Sequence, residues 1–370
     1  MQLENDHNAY ILGAGFSAEA GVPVVKDFLK KMRDAHPWLV DRGRKSEAQA
    51  IERVLEFRLK AASAAYRVRI DLENIEELFS LATAQDPEMS DDIRLAIAAT
   101  IDYSCNIAQP QIDRIYITKN HKKPLPNHWE LKGTEVGYEQ KKEMECNAYD
   151  LFAGTMSGYL IKNWDSQQNT ILTFNYDLIV EEALERLGVS YYYGLKNAKD
   201  DQANSTNESL PLYKMHGSVN WATESNKNLP KVYPNYRSLL EQDAIPEIIP
   251  PTWRKAVNEH IAKIWQNSVE SLLTATRIII LGFSMPETDV HFKYLLASGL
   301  QQNISLREVI FVNIRKEQTE QRAHDLFGED QIALGNFQFR SDSIHKFFIE
   351  SPGARGQINR EWKDAFSERS

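Results

Sequence analysis

The sequence predicts an α/β fold: a parallel sheet flanked by helices, with a large helical insertion after the first strand–helix unit. Three observations carry this. Short runs of Ile, Leu, Val and Phe recur, each followed by small or polar residues, as strands buried on both faces require. Amphipathic helical patterns separate the later runs, the alternation that gives a parallel sheet with crossover helices. From about Ser46 to Asn163 that alternation stops, and the chain reads as amphipathic helices with no convincing strand.

The elements follow in order. Residues 9–12 form the first strand. Residues 52–66 and 72–81 are the clearest helices of the insertion, and residues 119–137, with prolines and basic side chains, are a loop within it. Residues 170–174 return to the sheet. In the helix that follows, Leu178, Ile179, Ala183, Leu184 and Leu187 share a face. Glu181, Glu182, Glu185 and Arg186 fall largely on others, and Gly188 stops the helix. Residues 190–193, 212–215, 277–281 and 309–313 are further strands, while 197–209 and 225–250 read as exposed loops. The division expected is 1–45 with 164–350 as the sheet domain, 46–163 as the insertion and 351–370 as a polar tail. No internal repeat is visible.

Composition narrows the function classes. The 370 residues carry a net charge of -9, which disfavours autonomous nucleic-acid binding because phosphates reward Lys and Arg. The basic cluster Lys119, His121, Lys122 and Lys123 reads as a solvated loop. Two distant cysteines, Cys105 and Cys146, exclude a disulfide scaffold and a four-cysteine zinc site by count. The opening residues MQLENDHNAY lack the pattern of a signal peptide, and no apolar run matches a bilayer span. A cytoplasmic location without membrane contact is expected. Asp71, Glu73 and Glu76 read as a solvated helix face rather than a metal site.

Chemistry-bearing residues cluster at strand ends. In NAYILGAGFSAEAGVP, Gly13 and Gly15 permit a tight turn and close backbone approach. A helix beginning near Ser17 would point its N–H groups outward, which suits a pyrophosphate. The third glycine is Gly21, so this is not a plain G-x-G-x-x-G, and a strand-to-helix turn needing glycine for backbone reasons is a close second to the phosphate-binding reading. TFNYD places Asn175 and Asp177 at a strand end; Asp177 serves equally as a helix cap. In LYKMHGSVNW, His216 offers an imidazole able to take a proton near neutrality. RIIILGFSMPETDVHF sets Gly282 and Ser284 after a strand, with Asp289 on the next helix, and FVNIR sets Asn313 after the last core strand. Ordinary turn chemistry also accounts for these.

In that order, the motifs resemble the sirtuin family: GAGFSAEAGVP is similar to G-A-G-x-S-x-x-x-G-[IV]-P, TFNYD to T-x-N-x-D, and His216–Gly217 to its H-G pair. The resemblance implies a Rossmann-like domain with NAD as substrate. Gly13, Ala14, Gly15, Ser17 and Pro23 would surround the diphosphate and nearby ribose. Thr173 belongs to the second motif, Asn175 would hold the nicotinamide ribose and the attacking water, and Asp177 would bind the carboxamide. His216 would act as general base on the ribose hydroxyls. Gly282, Ser284, Asp289 and Asn313 would meet the adenosine side, with Arg315 standing where a Glu is usual.

Two departures matter. No cysteine lies between Trp221 and Thr276, where the family's zinc ribbon stands; IIPPTWRK, with Pro250, Pro251 and Trp253, is there instead. Val24, Val25 and Lys26 replace the usual Asp, Phe and Arg. The resemblance therefore implies NAD without zinc, in the manner of the zinc-less bacterial branch of NAD-hydrolysing antiphage defence effectors. The expected reaction releases nicotinamide and ADP-ribose and depletes NAD when a trigger arrives. A homo-oligomer, or a defence-operon partner such as a ring ATPase, would control it. The alternatives are an NAD-dependent protein deacylase or ADP-ribosyl transferase, a non-catalytic NAD or ADP-ribose sensing subunit, and a DNA-acting subunit, which the acidic charge disfavours.

Overall fold

The structure, a computed structural model, describes residues 6–109, 111–118, 141–156, 168–195, 209–224, 229–252, 258–285, 289–327 and 337–350. The basic cluster at 119–123, the loop 119–137, nearly all of the loop 197–209, Trp253 and the tail 351–370 lie outside them.

Strand β1 (His7–Leu12) is buried along its whole length. Helix α1 (Ala14–Ser17) and a 3-10 turn (Ala18–Ala20) follow and stop at Gly21, whose φ of 87° ends the helical path. The helix expected near Ser17 is thus only these two turns. The long helix α2 (Val25–Asp41) starts beyond Pro23. Helices α3 (Lys45–Val68), α4 (Ile75–Gln85) and α5 (Met89–Ile107) pack with α2 as the insertion. Each buries a stripe at helical spacing, such as Phe28, Leu29, Met32, Ala35 and Leu39 on α2. Small residues line the buried face of α5, where the Thr100 and Ser104 hydroxyls donate back to the Ala96 and Thr100 carbonyls at 2.7 Å. The solvated reading of the 71–76 region holds for Glu73, which is exposed and pairs with Arg33 and Arg58.

An antiparallel pair, β2 (Asp113–Thr118) with β3 (Lys141–Cys146), interrupts the helical expectation for this segment. The charges of KKEMEC leave no apolar run to mark its strand. Helix α6 (Ala148–Met156) is buried on every side. Its Phe152 packs edge-on against Tyr10, Phe16 and Phe348.

The rest alternates as predicted: β4 (Gln168–Thr173), α7 (Ile179–Arg186), β5 (Tyr191–Tyr192) and β6 (Leu210–Lys214). Strand β7 (Trp221–Glu224) pairs antiparallel with β8 (Leu229–Val232), and β8 and the short helix α8 (Tyr236–Leu240) occupy ground read as the exposed loop 225–250. Tyr236, Leu239, Ile248 and Ile249 there are buried. The Tyr236 hydroxyl donates to the buried Glu47 carboxylate at 2.8 Å, and Arg44 bonds that same carboxylate at 2.6 Å, tying this region to α3. Helix α9 (Glu259–Thr274), β9 (Arg277–Leu281), α10 (Val290–Leu300), β10 (Glu308–Val312), α11 (Lys316–Phe327), β11 (Phe337–Arg340) and a π turn (Lys346–Glu350) complete the described chain.

Seven strands form one parallel sheet in the order β11-β10-β9-β1-β4-β6-β5. Helices flank it, so the architecture is the Rossmann-like one predicted. Polar side chains at the strand starts fix the register: Asn8 donates to Asn169 at 3.0 Å, and Arg277 donates to Asn8 and Glu308 at 2.8 Å. The chain runs from β1 out to β6 on one side, then returns to β9 on the other. The switch point falls at the C-terminal ends of β1 and β9, the place where open α/β sheets take ligands. Among the described residues no helix is long and apolar enough to cross a membrane.

Candidate active site

Because the strands are parallel, the segments after β1, β4, β6, β9 and β10 share one edge of the sheet. Two of them interlock. Gly13 N donates to the Leu281 carbonyl at 3.0 Å and Gly15 N to the Gly282 carbonyl at 2.8 Å. A Cβ on Gly15 would lie 2.6 Å from the Gly282 oxygen; one on Gly282, whose φ is 61°, would lie 2.1 Å from the Phe16 nitrogen. These glycines let two backbones touch.

Asn175 ties the second motif to the first. Its amide nitrogen donates to the Gly13 carbonyl and to the Ser17 hydroxyl oxygen, both at 2.9 Å, and its backbone N–H donates to Thr173 Oγ1 at 3.1 Å. Both amide protons are engaged, which leaves the side-chain carbonyl to meet a hydroxyl or a water. Ser17 and Thr173 are buried, Ala14 is half-buried and Pro23 is buried at the start of α2.

Asp177 does two things. Its Oδ1 accepts from the Ile179 N–H at 3.2 Å, an Asx-type turn contact ahead of α7; the cap position itself falls on Leu178, not on Asp177 as the cap reading had it. Its Oδ2 is buried and has no hydrogen-bond partner among the described residues. Burial raises this carboxyl above the ordinary carboxylate range, against the pull of the Lys214 ammonium and of the nearby Ser17 hydroxyl, which lies close to the carboxyl but outside hydrogen-bonding geometry to Oδ2. A buried acceptor without a donor is costly, and a ligand N–H, such as that of a primary carboxamide, would satisfy it.

Beneath Asp177 lies an ion pair that hydropathy does not reveal. Lys214 is wholly buried; its Nζ donates to the Asp177 carbonyl and, at 2.7 Å, to Glu181 Oε1. Tyr193 donates its hydroxyl to the same Glu181 oxygen at 3.2 Å. Glu181, placed by its spacing off the apolar face of α7, is buried instead, and burial raises its carboxyl pKa despite Lys214.

His216 follows β6, with its ring set among aromatics. Phe174 meets it edge-on at 5.2 Å, and Tyr176 and Trp265 lie 6.3 and 6.5 Å away. Phe174 stacks on Phe283 at 5.0 Å, so the aromatic wall runs from the His216 loop to the Gly282 loop. The Tyr176 hydroxyl donates to the Ile249 carbonyl at 2.8 Å and the Trp265 indole to the Met215 carbonyl at 3.0 Å. Gly217, at φ 82°, is fixed by packing: a Cβ there would lie 2.0 Å from the Glu247 oxygen.

The adenosine-side candidates hold structure as well. Asn313 donates to the Phe283 carbonyl at 3.3 Å and accepts from the Arg315 N–H at 3.0 Å, while Arg315 itself is exposed. Asp289 precedes α10 rather than lying on it, and caps it by accepting from the Phe292 N–H at 3.2 Å. The Ser284 side chain is exposed. The candidates in the loops directly after β1, β4, β6, β9 and β10 therefore fall at one edge, with direct bonds joining Asn175 to Gly13 and Ser17, Gly15 to Gly282, and Asn313 to Phe283. Sequence reasoning missed Lys214, Glu181, Phe283 and Trp265. The one available signal was Lys214, a charge closing an apolar strand.

Comparison with known proteins adds the following. A crystal structure described as a Sir2 homolog–NAD complex is 12% identical, with a TM-score of 0.44 over 98% of this chain and 91% of that chain. A mutant Sir2 homologue in complex with 2′-O-acetyl ADP ribose is 13% identical, with a TM-score of 0.43 over 98% of this chain and 94% of that one. No curated protein matches the chain. Residues 169–332 match the family described as SIR2-like domain. That stretch holds every strand-end loop of the candidate site except Gly13–Ser17, which β1 carries into the same site by pairing with β4 and β9.

Proposed function

We propose that this edge binds NAD and that the protein hydrolyses the nicotinamide–ribose bond, giving nicotinamide, ADP-ribose and a proton. The observation that carries the reading is Asp177 Oδ2: a buried acceptor lacking a donor, beside Asn175 and Ser17, within the stretch similar to SIR2-like domains. The nicotinamide ring is a cationic leaving group, so the protein need only orient it, stabilise charge at the ribose carbon and admit water.

Each residue then has a task. Asp177 accepts the carboxamide N–H. The Asn175 carbonyl orients the water and ribose hydroxyl, while its amide holds the Gly13–Ser17 loop. His216 takes the proton lost from the ribose hydroxyl or the water. Gly13, Ala14, Gly15, Ser17 and Pro23 line the diphosphate side, and Gly282, Ser284 and Asn313 the adenosine side. Asp289 supports that side by capping α10. Thr173 holds the Asn175 backbone. No zinc is required by this scheme. The setting proposed is NAD depletion in antiphage defence, held in check by assembly or a partner protein.

The test is nicotinamide release from NAD by purified protein at several protein concentrations, beside His216→Ala and Asn175→Ala. Release that both variants abolish supports hydrolysis here, and release unchanged in both places the chemistry elsewhere. Turnover that needs an acylated or other acceptor stoichiometrically identifies a deacylase or transferase. Binding without turnover identifies a sensing subunit.

A further inference from the structure

Lys214 sits where a charge is hard to keep. Its side chain is 1% exposed and that of its partner Glu181 4%. Burying such a pair costs several kcal/mol per ion, and an apolar pair of similar volume often serves stability as well. The pair is not an isolated bridge. Lys214 Nζ also donates to the Asp177 carbonyl, with the Tyr176 carbonyl 3.5 Å away. Those carbonyls belong to the turn between β4 and α7 that carries Asn175 and Asp177. The Val219 N–H reaches the same Tyr176 carbonyl at 3.1 Å, and Ile179 N–H reaches Asp177 Oδ1. The ammonium therefore grips the backbone of the turn from below, while Glu181, steadied by Tyr193, holds the ammonium in place.

We infer that Lys214 is a positioning residue: through its bonds to the Asp177 carbonyl and to Glu181 it fixes the 175–177 turn so that Asp177 presents its unpartnered oxygen to the carboxamide of a bound nicotinamide nucleotide. This rests on the NAD reading above. Lys214 touches neither substrate nor reacting atoms; it acts through Asp177.

Two variants separate positioning from mere stability. Lys214→Met alone leaves Glu181 buried and unpaired, and a lower melting temperature is expected. Lys214→Met with Glu181→Gln removes both members of the ion pair, retains side-chain volume, and should melt above Lys214→Met alone, because no unpaired Glu181 charge is left buried. Positioning predicts that this double variant still loses about tenfold or more in kcat/KM for NAD. It also predicts faster hydrogen exchange at the Ile179 and Val219 amides, with distant core amides unchanged. A double variant that regains wild-type kcat/KM and protection overturns the role. Wild-type protein that neither binds nor cleaves NAD overturns the NAD reading alone. The exchange comparison then decides the positioning role by itself: local loss of protection supports it and unchanged protection overturns it.

Discussion

Asn175 and Ser17 meet at 2.9 Å although 158 residues separate them in the chain. The same amide reaches the Gly13 carbonyl. The loop after β1 is thus held by a side chain from the loop after β4, and whatever the edge binds meets both together.

Asn175→Ala is expected to cost about 1–3 kcal/mol, because it leaves the Gly13 carbonyl and the Ser17 hydroxyl without their donor. Asn175→Asp should cost more, since a buried carboxylate oxygen would face the Gly13 carbonyl, which can only accept. Urea unfolding of the three proteins checks the order; equal midpoints would show that the clamp contributes nothing.

Gly282→Ala and Gly188→Ala form a matched pair. Both glycines have positive φ, 61° and 63°, yet a Cβ on Gly188 meets nothing within 4 Å. The Gly188 change should cost about 1–2 kcal/mol from backbone conformation alone. The Gly282 change adds the collision with Phe16 N and should cost several kcal/mol or prevent folding. Similar melting temperatures for the two variants would show that the interlocked loops separate easily.

His7 gives the pH dependence. Burial between Thr274 and Thr170 lowers its pKa from 6.5 to about 4. The unfolded chain therefore binds the extra proton first. The contribution is whole above pH 6.5, falls as the pH drops towards 4 and levels off below that, by an amount of order 3 kcal/mol. His7→Gln should flatten this segment of the stability–pH curve. An unchanged slope between pH 6.5 and 4 would count against a buried neutral imidazole.

The sheet was legible where its strands are buried on both faces, because burial there writes an unbroken apolar run, as in residues 277–281. The strand-end loops followed from it. Strand β11, FQFR, is half-buried throughout and writes no such run. Strand β3 is masked by its charges. The helix expected near Ser17 failed because the left-handed Gly21 ends it after two turns. Glu181 and Glu47 were read as solvated or passed over, since hydropathy registers a charge but not the partner that permits its burial. For Glu181 the partner, Lys214, lies 33 residues away; for Glu47 the partners are Arg44, nearby, and Tyr236, 189 residues on. The aromatic wall around His216 was unreadable because Phe174, Trp265 and Phe283 come from separate elements.

The place of β1 in the sheet bears on how the chain is made. Its Asn8 bonds to Asn169 across 161 residues and to Arg277 across 269. Synthesis at about 5–20 residues per second puts roughly ten to fifty seconds between the emergence of β1 and that of its second neighbour. Until β4 emerges the most central strand of the sheet has two bare edges, and until β9 emerges it still has one. The helices of the insertion emerge in the same interval. Assembly of the sheet therefore waits on its last-made half, and slow synthesis or truncation before β9 leaves β1 open to chaperones and to aggregation.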